Sequence, residues 1–322
     1  MKVYFPNSAF LGNFDGFLKR FDPTNPEILE ISANPLWVSV HPVVLAMVAA
    51  LGSRVKPDKI SCEVFEAPSK NYFERMGLFK SLCVKSGIHI NEHDPAGRFI
   101  PIVQIKDSDG LEKFLEDMIP LLHLQEDPEH AKTIRYIVSE LVRNVLEHAR
   151  SRDGAFLAAQ YHEKSNTIRI GIADCGVGIR ETIMQSYSAP TDLDAIRLAL
   201  MPGITGTTKK EGGTEQNAGA GLFFIKSIAT RNRNFFVLYS GGAMYKLLKR
   251  KPDDLTLSAD PFNDRHSRGN EFPYWQGTVV GIDITLDTTE GFTRLLGLIG
   301  EIYEEAVKER RRARKNIQPK FI

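Results

Sequence analysis

Two periodicities of apolar residues alternate along the chain. Ile168, Ile170 and Ile172 occupy every second position of 167–173, and this period of two predicts a strand. Ile134, Val138, Leu141, Val142, Val145 and Ala149 recur at three- and four-residue intervals, which predicts an amphipathic helix over about 128–150. The same rules predict a small α/β unit over residues 1 to about 105, with strands near 28–32, 36–40, 60–65 and 99–105. Helices are predicted near 42–53, where Pro42 suits a first turn, and near 70–83. Tyr72, Phe73, Met76, Phe79 and Leu82 lie at helical spacing in the latter, as expected of core residues. Further on, the pattern predicts a helix over about 110–124, a strand at 155–161 and a helix from 222. A hairpin follows, with strands at 235–240 and 243–248 joined by Gly241-Gly242. After a polar, irregular stretch at 251–276 come a last strand at 278–285 and an amphipathic helix from about 290.

Length and composition narrow the class. At ~150 residues per domain, 322 residues suggest about two domains. A hydrophobic fraction of 42% and a charged fraction of 25% are those of a globular chain with a sizeable core. A net charge of +1 argues against wholesale polyanion binding. It leaves open a local contact through the basic run 308–315, whose other reading is a solvated tail. Cys62, Cys83 and Cys175 have no C-x-x-C spacing, which fits a reducing compartment and gives no zinc signature. The most apolar stretch, 36–51, has 16 residues interrupted by Ser39, His41 and Pro42, too short to cross a membrane. With no signal-peptide-like run at the start, a cytoplasmic protein without a membrane partner is expected.

Four pieces carry candidate chemistry. Glu140, Asn144 and His148, at i, i+4 and i+8, form one polar stripe along the edge of the helix's apolar face, which reads either as a solvated face or as a cleft wall. Asp174-Cys175-Gly176-Val177-Gly178 directly follows the alternating strand. A carboxylate there can accept from a ligand amine, and the glycines permit a sharp turn or close ligand approach. Between Gly203 and Gly221, six glycines fall in 19 residues, together with Thr205, Thr207, Thr208, Lys209 and Lys210. Such a segment is either a surface loop or a phosphate cradle running into a helix N-terminus, and it lacks the order of a Walker A loop. Finally, Gln276-Gly277-Thr278 opens the last strand and can set a hydroxyl beside Asp174.

In this order, E-x-x-x-N on a helix, D-x-G-x-G after a strand, a Gly-rich lid and a G-T strand resemble the GHKL ATPases: gyrase, the 90-kDa heat-shock chaperones, histidine kinases and MutL. The resemblance covers roughly residues 110–286. It implies an α/β chain whose second domain is a Bergerat-fold sandwich, a mixed, mostly antiparallel sheet with helices on one face. The domains would be 1–105, 106–286 and a helical, basic C-terminal segment 287–322. By the same resemblance, Asn144 would hold Mg²⁺ against ATP phosphates and Glu140 would activate or orient the attacking water or hydroxyl. Asp174 would accept from the adenine amino group, supported by Thr278, and Gly176 and Gly178 would shape the adenine pocket. Gly219 and Gly221 would close on the phosphates, with Lys209 as a lid cation. The bulky Leu222-Phe223-Phe224 after Gly221 departs from the chaperone branch and suggests a different lid geometry.

The N-terminal unit resembles, more weakly, a STAS domain. Its cue is the strand 36–40 turning at His41-Pro42 into the apolar helix from Val43, although the D-S-x-G context of a phosphorylated serine is absent at Ser39. No charged dimerisation hairpin precedes the ATPase segment, which argues against a conventional sensor histidine kinase. Three functions follow as expectations: a Mg²⁺-dependent ATPase acting as a regulatory switch, an anti-sigma-type Ser/Thr kinase acting on a STAS-domain partner, or a module that binds ATP without turnover. The apolar stripe of the C-terminal helix, from Phe292 to Val307, packs on its own domain or forms a homodimer seam.

Overall fold

A computed structural model describes residues 1–62, 69–88, 99–122, 124, 128–206, 220–249, 256–286 and 291–317. The N-terminal unit begins with β1 (Lys2–Phe5), β2 (Ser8–Ala9) and α1 (Phe14–Leu18), then β3 (Leu29–Ala33), β4 (Ser39–Val40) and α2 (Pro42–Gly52). After β5 (Ile60–Cys62), the segment expected as one helix over 70–83 forms two short ones, α3 (Lys70–Arg75) and α4 (Leu78–Ser81). The break is at Gly77, whose φ of +72° is left-handed and cannot continue a right-handed helix. Strands β1, β3 and β5 form a parallel sheet in the order β1-β3-β5, and β2 pairs in parallel with β4.

The rest of the chain builds one seven-stranded sheet. Its members are β6 (Phe99–Ile105), β7 (Ala155–His162), β8 (Thr167–Ala173), β9 (Phe236–Gly241), β10 (Ala243–Leu247), β11 (His266–Gly269) and β12 (Trp275–Thr285). The order is β11-β10-β9-β12-β8-β7-β6, and every neighbouring pair is antiparallel, so the expected mixed sheet is wholly antiparallel among the described residues. The strand at 99–105, expected within the N-terminal unit, is the edge strand of this larger sheet, hydrogen-bonded to β7. Part of the irregular stretch 251–276 also joins it, as β11 and the first residues of β12.

The helices that follow β6 lie on one face of the sheet, as expected, and the N-terminal unit covers the other. On the first face lie α5 (Ser108–Leu121), α6 (Pro128–Asn144), α9 (Gly221–Arg231) and α10 (Phe292–Ile317). Their apolar stripes meet Leu157, Ile168, Ile170, Ile172, Ile282 and Ile284 in one core. Two helices that the sequence pattern left undrawn, α7 (Ile179–Met184) and α8 (Asp192–Ala199), complete this side. Leu295 and Ile299 bury α10 against its own unit, and the basic run expected as a tail continues the same helix. Lysine and arginine are good helix formers and are favoured near a helix C-terminus. Among the described residues, no helix is long and apolar enough to cross a membrane.

The second face carries the N-terminal unit. Because side chains alternate across a strand, Phe156, Ala158, Ala173, Val237, Tyr239 and Val279 point away from the first core into a second one. There they meet α2, all eleven residues of which are buried, together with Phe5, Phe14, Phe73 and Leu78. A glycine pair makes the contact close: Gly171 and Gly281 are cross-strand partners in β8 and β12. A Cβ on Gly171 would overlap the Val43 backbone, and one on Gly281 would come within 2.6 Å of Leu11 Cδ2. His41 caps α2: its Nδ1 accepts from the Val43 N–H at 3.1 Å, and its Nε2 lies 3.2 Å from Asp283 Oδ1 in β12. Burial lowers the imidazole's pKa, against the raising effect of Asp283, so the ring is seated neutral.

This seat gives a stability prediction. Gly171→Ala forces backbone against backbone, where no rotamer change can relieve it, and should destabilise the chain by about 1–3 kcal/mol. In urea unfolding, the midpoint should fall with little change in slope.

Candidate functional site

The end of β8 is shaped from three directions. Beyond Ala173 the ladder continues for one rung, the Asp174 N–H donating to Thr278 O at 2.9 Å. The chain then turns: Asp174 Oδ1 accepts from the Gly176 N–H at 2.7 Å, and the Val177 N–H donates to Ala149 O at 2.8 Å. Gly176 lies so close to the Ala149 carbonyl that a Cβ would overlap it. Gly178, at φ +83°, and Gly277, at φ +115°, take conformations that L side chains resist, and they face each other across the turn. Ser240 Oγ joins them, accepting from the Ile179 N–H at 3.0 Å and donating to Gly277 O at 2.6 Å. Trp275 Nε1 donates to Asp174 O at 3.0 Å, and Gln276 Nε2 to Gly176 O at 2.5 Å.

Asp174 is therefore held rigidly by its backbone and by one carboxylate oxygen. The residue is 1% exposed, and among the described residues Oδ2 is buried without a hydrogen-bond partner. Burial pushes the carboxyl up to about 7, with the Gly176 and Thr278 hydrogen bonds pulling the other way.

Helix α6 brings the second group. It is α-helical to Asn144 and continues through 145–149 as one π-helical turn, a wide turn often found beside functional sites. The Ala149 carbonyl that receives Val177 belongs to that turn. Among the described residues, Asn144 Nδ2 is buried without a partner. Burial raises the Glu140 carboxyl above its ordinary pKa; Arg143 opposes the shift and Glu147 adds to it. Arg143 lies 3.8 Å from Glu140 and 3.2 Å from Glu147. Gly221, the first residue of α9, closes this corner. A Cβ there would overlap Glu140 Oε2 and come within 3.7 Å of Asn144 Nδ2.

One cavity of about 330 Å³ unites these parts. Glu140, Asn144, Asp174, Gly178, Gly221 and Thr278 line it, with Ile172, Ile179, Ile183 and Val280 as apolar wall, and Gly176 supports it through Ala149. The volume falls within the ordinary range of a small-molecule pocket, about 300–1,000 Å³. His148 also lines it. Lys209 and Gly219 lie in 207–219, outside the described residues. Burial pushes the Cys175 thiol up to about 12, with the neighbouring Asp174 adding to the shift, consistent with a packing residue and not a nucleophile.

Sequence reasoning missed the support behind Asp174. Trp275 sits in a stretch without regular hydrophobic pattern, Ser240 reads as the end of a hairpin strand, and Gly277 gains its role only from a positive φ. The one available signal is the G-T opening of the last strand, by itself an ordinary strand start. No protein-family model matches the chain, and no curated protein matches it.

Proposed function

We propose that this chain is an ATP-binding protein with a GHKL-type site, a Mg²⁺-dependent ATPase acting as a nucleotide-driven regulatory switch. One observation carries this: Asp174 Oδ2 and Asn144 Nδ2, both buried and unpartnered among the described residues, belong to residues that line the same cavity. An unsatisfied buried polar atom costs about 1–3 kcal/mol, and a ligand that pairs both recovers that cost. The isoleucine-rich wall beside Asp174 suits a flat heterocycle, and Oδ2 suits its exocyclic amine. At the other end, the Asn144 side-chain oxygen is the kind of ligand that Mg²⁺ takes when phosphates and water complete its shell. Bound there, the ion would neutralise phosphate charge. Glu140 orients the attacking water and accepts its proton, and its raised pKa makes it a better base than an exposed carboxylate. The N-terminus of α9, at Gly221, would present backbone N–H groups to anionic oxygen.

The test is purified protein with γ-labelled ATP and Mg²⁺. Release of free phosphate supports the ATPase switch. Label carried onto an added STAS-domain protein supports the kinase instead, and binding without turnover supports a regulatory module. Absence of ATP binding at millimolar concentration sinks all three.

A further inference from the structure

The turn that presents Asp174 to the cavity is touched from behind by the N-terminal unit. Helix α2 starts over Gly171 and ends beside Cys175, so it runs along β8 toward the turn. At its last turn, Ala50 O accepts from Cys175 Sγ at 3.4 Å, and Arg54 Nη1 donates to Cys175 O at 3.5 Å. A second contact comes through Trp275. Its indole donates to Asp174 O, and its ring lies 5.9 Å from that of Phe21, in the loop before β3. Both carbonyls of the Asp174-Cys175 pair are thus held by groups that belong to the N-terminal unit or pack on it. The Asp174 carboxylate faces the cavity on the other side.

We infer that the N-terminal unit regulates nucleotide binding by setting the position of Asp174 through the Asp174-Cys175 backbone, an inference that rests on the nucleotide reading of the cavity. A displacement of α2 moves the Cys175 carbonyl, and a displacement of the Phe21 loop moves, through Trp275, the Asp174 carbonyl. With Oδ1 tied to Gly176, the free Oδ2 then shifts relative to the apolar wall. By reciprocity, nucleotide bound at Oδ2 stabilises the α2 end of the contact by the same free energy. Trp275 and Arg54 are positioning residues in this scheme, acting on the ligand only through Asp174.

Binding of ATP and of inosine triphosphate, which lacks the exocyclic amine, tests this in wild type, Trp275→Phe and Arg54→Ala. Loss of one hydrogen bond to the turn should weaken ATP binding by about 5- to 10-fold in Trp275→Phe and by about 2-fold in the more exposed Arg54→Ala. Inosine triphosphate binding should change less, so that the preference for ATP shrinks. A purely structural role would lower both affinities together. In wild type, ATP should also slow amide exchange over 46–54, and Arg54→Ala should reduce that protection. Arg54 lies on the surface, so its variant keeps the test alive if Trp275→Phe fails to fold. Variants that keep the wild-type preference, with exchange over 46–54 indifferent to ATP, overturn the regulatory contact alone. A wild type that does not distinguish the two nucleotides overturns the nucleotide reading and the inference with it.

Discussion

Asp174→Asn should weaken ATP binding by about 10- to 100-fold and, at the same time, stabilise the nucleotide-free protein at pH 8. The first effect follows from replacing an acceptor with an amide whose N–H₂ can face the adenine amine. The second follows from the raised pKa. The carboxyl titrates at 3.8 when unfolded and at about 7 in the fold, so the folded state favours its protonated form. That contribution is complete below about pH 4 and is lost as pH rises to about 7, which amounts to roughly 4 kcal/mol over the three-unit shift. Asparagine has no such titration. Urea unfolding of both proteins between pH 5 and 8 should show the wild type losing stability relative to the variant as pH rises. ATP binding should mirror this: the amine prefers the ionised carboxylate, so below pH 7 binding should release a proton and weaken with acidity. Parallel pH profiles for the two proteins would sink the assignment of Asp174 as a buried, unpaired acid.

Glu140→Gln is the second large effect. Glutamine keeps the size and one acceptor of the side chain but cannot take a proton. Hydrolysis should fall by about 10²- to 10⁴-fold. ATP affinity should stay within about threefold, because the lost interaction belongs to the transition state. The pH dependence carries a separate signature. Glu140 works when ionised, so the wild-type rate should rise with pH along a limb above the ordinary carboxylate range, where burial puts it. The variant's residual rate should lack that limb. Steady-state phosphate release across pH checks both. A variant as fast as wild type would remove Glu140 from the chemistry.

The parts of this molecule that follow a repeating rule were legible in its sequence. Strand β8 runs over the residues its alternation predicts, and α6 carries Glu140 and Asn144 along one edge of its apolar stripe. The glycines and carboxylate after β8 gave the turn and its acidic group. What escaped was the second layer. Along β8, the positions between the isoleucines are Arg169, Gly171 and Ala173, a mixture that reads as a solvated or neutral face. Its meaning appears only once Val43 is seen lying on Gly171, since a glycine that admits a helix leaves no hydrophobic signal of its own. The place of the edge strand β6, expected within the N-terminal unit, is hidden for a related reason. Pairing is set by hydrogen bonds to a distant segment, Ala155–His162, and nothing local in 99–105 names that partner. The π-helical turn at 145–149 likewise has no sequence marker, and its last carbonyl, Ala149 O, accepts from the distant Val177 N–H.

The glycine pair beneath α2 also bears on how this chain can change over time. Two units joined by a tether are interchangeable parts, and either can be traded for another without alteration. Here the joint is a fitted socket: Gly171 and Gly281 leave a recess shaped to the backbone at Val43 and to Leu11. Any replacement for the N-terminal unit would need a helix start that fills the same recess, or compensating side chains on both strands. The two units are therefore constrained to vary together, and a change of partner or signal is more readily accommodated on the outer surface of the N-terminal unit than by exchange of the unit itself.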